Sequence, residues 1–165
     1  MNKKGRLPLF AIGIVSVYFL SVLSINIAAP DEVIEPENFP TNCPEDSLNC
    51  SMIGPNPHRS ENLTELRINS SLEEVMDEVR RWIDSQPGTE VIGEWQGQTH
   101  SVFRTLMFRF PDDFVVMGFC DDGDTVLHIY SKSRLGVSDL GVNKARVLGF
   151  NDYMSNVEMA TSYCT

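Results

Sequence analysis

The residues of this chain that are best suited to chemistry are concentrated between positions 133 and 146, in the run SRLGVSDLGVNKAR. Arg134 and Arg146 carry guanidinium groups, which bind carboxylates and phosphates through paired hydrogen bonds. Ser138 and Asn143 add a hydroxyl and an amide. The run joins a predicted strand to a predicted helix, whose first free N–H groups also attract anions. We therefore expect a candidate ligand site here, for a small anionic ligand.

A purely structural interpretation of the same run competes with the ligand site. Asp139 is well placed as the N-cap of the following helix, where a carboxylate also complements the helix dipole. Arg134 lies close enough through the turn to pair with Asp139. If that pair is buried, replacing either residue by alanine should cost about 3–5 kcal/mol. Arg146 is expected nearer the solvent face of the helix, so its replacement should matter much less.

The two interpretations predict different surroundings for these side chains. A ligand site requires a pocket that converges on Arg134, Arg146 and Asp113, the last of which lies in a predicted turn upstream. The adjacent acids Asp112 and Asp113 are more typical of a solvated turn than of a catalytic carboxylate pair.

An enzyme is the alternative to a binding module. A hydrolase-like site would use Arg134, Asp139 and the serines around them, but no Gly-x-Ser-x-Gly turn is present. It would also need a serine within hydrogen-bond reach of His100, in a predicted turn, or of His128, in a predicted strand. Both histidines are interpreted as structural, so the sequence assigns no catalytic residue.

Metal ions and cofactors are not predicted. The acidic run DDGD at 121–124 lacks the rest of a twelve-residue calcium loop and fits a hairpin turn at Asp122-Gly123. The three histidines are scattered, and no Cys-x-x-Cys spacing occurs.

The N-terminal segment predicts where the protein lies. Residues 7–29 carry no charge and are long enough to cross a membrane, which favours a retained anchor; Ala28-Ala29 before Pro30 leaves a cleaved signal open. The basic residues within 1–6 place that end in the cytoplasm. We therefore predict a single-pass protein of the cytoplasmic membrane, with its C-terminal domain in the periplasm or outside the cell.

Charge restricts the partners of the exported part. Residues 30–165 contain 10 basic and 23 acidic residues, a formal charge of −13. Such a surface repels nucleic acid and anionic headgroups. Apart from the membrane crossed by residues 7–29, the partners left open are a protein, a glycan or a small anionic ligand.

Four cysteines in an exported chain predict disulfides. Cys43 and Cys50 enclose a short loop and form the first expected pair, which leaves Cys120 and Cys164 as the second by elimination. Three pairings of four cysteines exist, and the sequence does not choose among them.

The remaining patterns predict an extended tether over 30–58 and a folded domain over 59–165. Ser71 and Glu74 form a capping box before an amphipathic helix that Pro87-Gly88 ends. A second helix is expected over about 140–157, and an extra strand near 63–68. Four strands are predicted from runs rich in Val, Ile, Phe and Tyr, at 90–95, 101–110, 114–120 and 125–133. The expected fold is a two-layer α+β domain, an antiparallel sheet covered by two helices.

Three motifs resemble one family of unknown function, DUF1499: NCPEDSLNC, FRFPDD and YSKSRLGVSDLGVNKAR. The resemblance covers roughly residues 42–150 and implies family membership and an envelope setting, but no reaction. The positions that it marks are Cys43, Pro44, Asn49, Cys50, Phe110, Pro111, Asp112, Asp113, Ser131, Ser133, Arg134, Gly136, Ser138, Asp139, Leu140, Gly141, Asn143 and Arg146.

Overall fold

A computed structural model describes residues 6–165 of the chain. The cytoplasmic segment predicted for residues 1–6 therefore lies, apart from Arg6, outside the described residues. The first element is helix α1, Arg6–Ala28. Its part from Phe10 to Ala28 is long and apolar enough to cross a membrane, a property that membrane anchors and signal sequences share.

The centre of the fold is an open, six-stranded antiparallel sheet, which confirms the predicted α+β class. Its strand order is β1-β6-β5-β4-β3, and the short strand β2 also pairs with β6, beyond the end of β1. The strands are β1 Cys50–Ile53, β2 Leu66–Ile68, β3 Thr89–Trp95, β4 Gln98–Arg104, β5 Pro111–Asp121 and β6 Asp124–Ser133.

Two helices, α2 (Leu72–Ser85) and α3 (Val142–Asn156), cover one face of this sheet. The predicted start of α2 is confirmed, since the Ser71 hydroxyl accepts the N–H of Glu74 at 3.4 Å. The second half of the predicted capping box is wrong. The Ser71 N–H donates to the hydroxyl of Ser162, and the Glu74 carboxylate accepts from the Ser70 hydroxyl.

The main hydrophobic core lies between the sheet and the two helices. Trp82 of α2 has its ring centroid 5.4 Å from that of Phe114 and 4.9 Å from that of Phe150, which belongs to α3. Aromatic pairs at such separations add to the stabilisation that burial alone provides. These rings fix the positions of both helices above β4, β5 and β6.

The opposite face of the sheet is covered by the segment that the sequence assigns to the tether. A second, smaller core forms there, and β1 itself lies within residues 30–58. The members of this second core are Cys43, Cys50, Met52, Val115 and Tyr130, with Ile34 and Phe39 packed against them. The segment is therefore in contact with the sheet.

Both expected disulfides are confirmed. Cys43 bonds to Cys50, inside the second core, and Cys120 bonds to Cys164. The second bridge ties the C-terminal end of the chain to β5. The N–H of Cys164 also donates to the carbonyl of Gly123, in the turn after β5, at 2.9 Å.

The predicted strand over 101–110 is partly wrong. Strand β4 ends at Arg104, and residues 105–110 form the β4–β5 loop. Thr105 closes this loop, because its N–H donates to the Phe110 carbonyl at 3.0 Å and its hydroxyl accepts the Phe110 N–H at 2.9 Å. The turn predicted at Pro111 is instead the start of β5. The hairpin turn at Asp122-Gly123 is confirmed, with φ values of 50° and 85°.

Candidate functional site

Two adjacent carboxylates organise the predicted site by facing opposite sides of the sheet. Asp112 and Asp113 are consecutive residues of β5, and side chains alternate between the two faces of a strand. Asp112 binds Arg146, with 2.9 Å between Oδ2 and Nη2, and Asp113 binds Arg134, with 2.6 Å between Oδ1 and Nη2. The structure thus divides four of the predicted site residues, Asp113, Arg134, Asn143 and Arg146, between two clusters.

We call the first the helix-face cluster; its members are Asp112, Ser131, Ser133, Asn143 and Arg146. Arg146 donates to the Ser131 hydroxyl at 3.0 Å and to Asp112, and its guanidinium carbon lies 4.4 Å from the ring centroid of Phe103. Asn143 donates to the Ser133 hydroxyl at 3.0 Å. The side chains of Arg146 and Asp112 are only 10% and 4% exposed.

The expectation that Arg146 lies near the solvent face of the helix is therefore wrong. Helix α3 begins at Val142. The two candidate site residues in its first turns, Asn143 and Arg146, point at the sheet. Asn143 is fully buried and also donates to the backbone carbonyl of Asn49, at 3.2 Å. The cluster links β5, β6 and α3 to Asn49, the residue that precedes β1.

We call the second the tether-face cluster; its members are Asp31, His100, Arg104, Asp113 and Arg134. Arg134 donates from Nε and Nη2 to Asp113 and from Nη1 to Asp31. Arg104 donates to both carboxylate oxygens of Asp31 at 3.0 Å. Asp31 follows helix α1 by three residues, so the cluster fastens the end of the helix to the sheet.

His100 is a buried strand residue of this cluster, and its predicted position in a turn is wrong. Its Nδ1 accepts the backbone N–H of Ile34 at 2.9 Å, so that nitrogen carries no proton. The proton of the neutral ring is then on Nε2, which donates to Asp113 at 2.8 Å. Strand β4 and the tether are thereby joined through one imidazole.

The electrostatics of Asp113 favour its ionised form. Burial raises the pKa of this carboxyl, but hydrogen bonds from His100 and Arg134, with the charge of Arg134, outweigh burial and bring the pKa below its ordinary value. Burial lowers the pKa of Arg134, and the hydrogen bond to Asp113 more than reverses this. The two groups form a charged pair.

The predicted pair of Arg134 with Asp139 does not form, because each residue has other partners. Asp139 accepts the N–H groups of Gly141 at 2.9 Å and Asn143 at 2.7 Å, and Arg59 lies 3.4 Å away. Burial raises the pKa of Asp139, and these backbone hydrogen bonds lower it further than burial raises it. Asp139 therefore satisfies the start of α3 as predicted, although the N-cap residue is Gly141, in the left-handed conformation with φ 87°.

The predicted residues do not converge on one pocket. Arg134 and Asp113 line a cavity of about 690 Å³ between the tether and the sheet. Ser138 and Asp139 line a separate cleft of about 390 Å³ beside the start of α3. Asn143 and Arg146 belong to the helix-face cluster.

This second opening, which we call the Leu140 cleft, is mainly apolar. Leu140 is 98% exposed at its rim and has a positive φ of 55°. The cleft is missed when only the polar residues of the run are weighed; the available signal was the pair of leucines, Leu135 and Leu140, between them. The lining is formed by Thr105, Phe110, Asp112, Ser133, Leu135, Gly136, Ser138, Asp139, Leu140 and Val142.

The geometry around the histidines does not assemble a serine nucleophile within residues 6–165. Both ring nitrogens of His100 are engaged, by Ile34 and Asp113. His128 lies against two aromatic rings, 5.1 Å from Phe119 and 6.5 Å from Phe39 between centroids. In the same described part of the chain, no group of three or more His, Cys, Asp or Glu side chains is arranged to hold a metal ion.

Comparison with known proteins gives a single finding. No curated protein and no solved structure matches the chain significantly. A family model described as a protein of unknown function, DUF1499, matches residues 25–153. The matched region begins in the last turn of α1 and includes the tether and all members of both clusters. The chain therefore belongs to the DUF1499 family.

Proposed function

We propose that this protein is a membrane-anchored, extracytoplasmic binding module without a catalytic role, and that its Leu140 cleft takes the acyl chain of a lipid-tailed ligand. The apolar helix α1 supports the anchor, and the two disulfides support a location outside the cytoplasm. The apolar lining of the cleft supports the acyl chain as the ligand.

The observation that carries the proposal is the conformation of Leu140. A leucine with positive φ is unusual, and holding a residue other than glycine there costs on the order of 1–3 kcal/mol. Its side chain is 98% exposed, so burial within the chain does not offset that cost. Strain of this kind, on an exposed apolar side chain at the rim of a cleft, favours a binding role.

The lining of the cleft favours an acyl chain over a polar ligand. The carboxylates at its wall are already engaged, Asp112 by Arg146 and Asp139 by backbone N–H groups. What remains accessible is mainly the apolar surface of Phe110, Leu140 and Val142. Burying apolar surface contributes about 25 cal/mol per Å², which makes this surface the main source of affinity.

The position of Phe110 connects the cleft to the membrane. This ring lines the Leu140 cleft and also a groove formed with α1 residues between Val17 and Ile25. A lipid-tailed molecule that enters the cleft from the bilayer would pass this shared ring.

The arginines that the sequence assigned to an anionic ligand have protein partners. Arg134 faces Asp113 and Asp31, and Arg146 faces Asp112. An anion would have to compete with these carboxylates. We therefore assign the binding energy to the tail of the ligand and not to its headgroup.

The test is thermal unfolding of the full chain, followed by the fluorescence of its two tryptophans, Trp82 and Trp95. The chain is held in a fluorinated surfactant, whose tails mix poorly with hydrocarbon chains, and is titrated with a lysophospholipid. A ligand at a hundred times its Kd stabilises by about 2.7 kcal/mol, which raises Tm by roughly 10 °C for a domain of this size. Glycerophosphocholine, the same headgroup without the tail, is expected to have no effect.

Leu140→Gly is the informative variant. We expect it to raise Tm in the absence of ligand, because glycine adopts positive φ without strain, and to abolish the shift caused by the lysophospholipid. Tyr163→Ala, which truncates another exposed side chain far along the sheet, should leave that shift unchanged. A shift with the headgroup alone, or an undiminished shift in Leu140→Gly, would contradict the proposal.

A further inference from the structure

We propose that the β4–β5 loop, residues 105–110, inserts its side chains into the outer leaflet of the same membrane that α1 spans. This inference rests on the retained anchor of the proposed function. It assigns a second membrane contact to the folded domain, whose tip at 106–108 lies outside the lining of the Leu140 cleft, although Thr105 and Phe110 belong to both.

The first observation is the composition of the loop tip. Leu106 is 97% exposed and Met107 is 70% exposed, while Phe108 and Phe110 are 43% and 41% exposed. Isolated apolar side chains are common on protein surfaces, but four within five consecutive residues form a contiguous patch that marks an interaction surface.

The second observation identifies the membrane as the occupant of that surface. Phe108 and Phe110 share a groove with five residues of α1, which lie between Val17 and Ile25. The apolar part of α1 has 19 residues, about 28 Å at 1.5 Å per residue, which matches a hydrocarbon core of about 30 Å. Four of the five residues, from Leu20 to Ile25, belong to the half of the span nearest the tether, so side chains that share the groove with them lie at the level of the outer leaflet.

The third observation is the placement of charge around the loop. Arg104 and the exposed Arg109 line a pocket of about 320 Å³ with residues at the end of α1, including Asn26 and Ala29. This is the level at which the helix leaves the hydrocarbon, where lipid phosphates lie. Arginine places its apolar stem along the bilayer and its guanidinium among the headgroups. Arg104 is already paired with Asp31, so Arg109 is the cation that locally offsets the repulsion between headgroups and an acidic domain.

The backbone of the loop sets the depth of insertion. Irregular backbone is not stable in the hydrocarbon because its polar groups need partners. In this loop the N–H groups of Thr105, Arg109 and Phe110 all have partners within the loop, which closes on itself. The backbone is therefore expected in the headgroup region, with the side chains reaching the acyl boundary, as an interfacial helix does at about 5–10 Å.

The test uses the full chain, reconstituted in phosphatidylcholine vesicles with and without bromine on the acyl chains, since brominated lipid quenches only tryptophan that contacts it. Phe108→Trp reports on the loop. Tyr163→Trp is the matched control, because it is exposed and lies beside Gly123, at the far end of β5. An 11-residue strand separates the two positions by about 35 Å. The unsubstituted chain supplies the background of Trp82 and Trp95.

We expect brominated lipid to reduce the emission of Phe108→Trp and to leave that of Tyr163→Trp at background. Leu106→Trp provides a second probe should Phe108→Trp fail to fold. Equal emission with both lipids at positions 106 and 108, in a chain whose intact mass shows that α1 is retained, would overturn this inference alone. A mass showing that the chain starts near Pro30 would overturn the anchor of the proposed function and this inference with it.

Discussion

At the scale of single residues, the predicted site is two charge pairs that share one dipeptide. Asp112 and Asp113 look like a catalytic pair or a solvated turn in the sequence, but consecutive residues of a strand face opposite sides. Each carboxylate therefore neutralises a different arginine. Arg134 and Arg146 are explained as the partners of these two acids, and Asp139 as the acceptor at the start of α3. None of these contacts explains the exposed Leu140.

The first residue-scale prediction reverses the sequence-based expectation for Arg146. Arg146→Ala should lower the free energy of unfolding by about 3–5 kcal/mol, because it leaves the Asp112 carboxylate buried without its partner. Arg80→Ala, which removes an arginine that is 36% exposed from pairs with Asp84 and Glu94, should cost only about 0–1 kcal/mol. Urea denaturation of both variants checks this, and equal losses would show that burial of the Asp112 pair has no energetic consequence.

A second residue-scale prediction concerns the pH dependence of stability. Burial lowers the pKa of His128 below its ordinary value, more than the charge of Glu65 raises it. The unfolded chain therefore binds a proton at higher pH than the folded chain does. The stability that His128 contributes is complete above about pH 6.5, the ordinary histidine pKa, and is lost as the pH falls from there through the lowered pKa.

His128→Phe tests that dependence while keeping a ring between Phe39 and Phe119. We expect the free energy of unfolding of the wild type to fall relative to that of the variant as the pH falls from 7.5 to 5. Above pH 7, the difference between the two proteins should change little with pH. The measurement is the free energy of unfolding in urea at each pH. Parallel curves for the two proteins would show that the titration of His128 is not linked to folding.

At the scale of elements, the sequence predicts those whose pattern is local. Helix α2 follows from its apolar spacing and from Ser71, and β6 follows from one run of β-branched and aromatic residues. The disulfide between Cys43 and Cys50 follows from their short separation. In each case the signal and the structure that it specifies lie within a few residues of each other.

The elements that the sequence did not predict depend on partners that are distant in the chain. Strand β1 is short, and it is a strand only because the edge of β6 is there to pair with it. The apolar residues at 105–110 have the composition of a strand, but in the structure they form the exposed loop next to α1. The buried position of Arg146 depends on Asp112, which lies 34 residues earlier. Periodicity within one segment contains no information about such contacts.

At the scale of the whole molecule, the tether decides how far the domain lies from the end of α1. A fully extended chain over residues 30–58 would reach roughly 90 Å or more, at about 3.3 Å per residue. In the structure, Asp31 is bound by two arginines, and Ile34 is held at both its N–H and its carbonyl, by His100 and Gln98. A tether fastened in this way holds the domain at the end of α1.

Hydrogen exchange distinguishes the fastened tether from a flexible spacer. In the full chain, a peptide covering residues 31–39 should exchange slowly, because the N–H groups of Ile34, Asn38 and Phe39 are all hydrogen-bonded. His100→Leu removes the acceptor of the Ile34 N–H and should speed exchange in that peptide, whereas His128→Phe leaves the acceptor in place and should not. Local opening of this kind sets exchange rates when the rest of the domain stays folded. Exchange of the wild-type peptide at the rate of an unstructured chain would mean that residues 30–58 act as a spacer, and that the domain is free to move away from the end of α1.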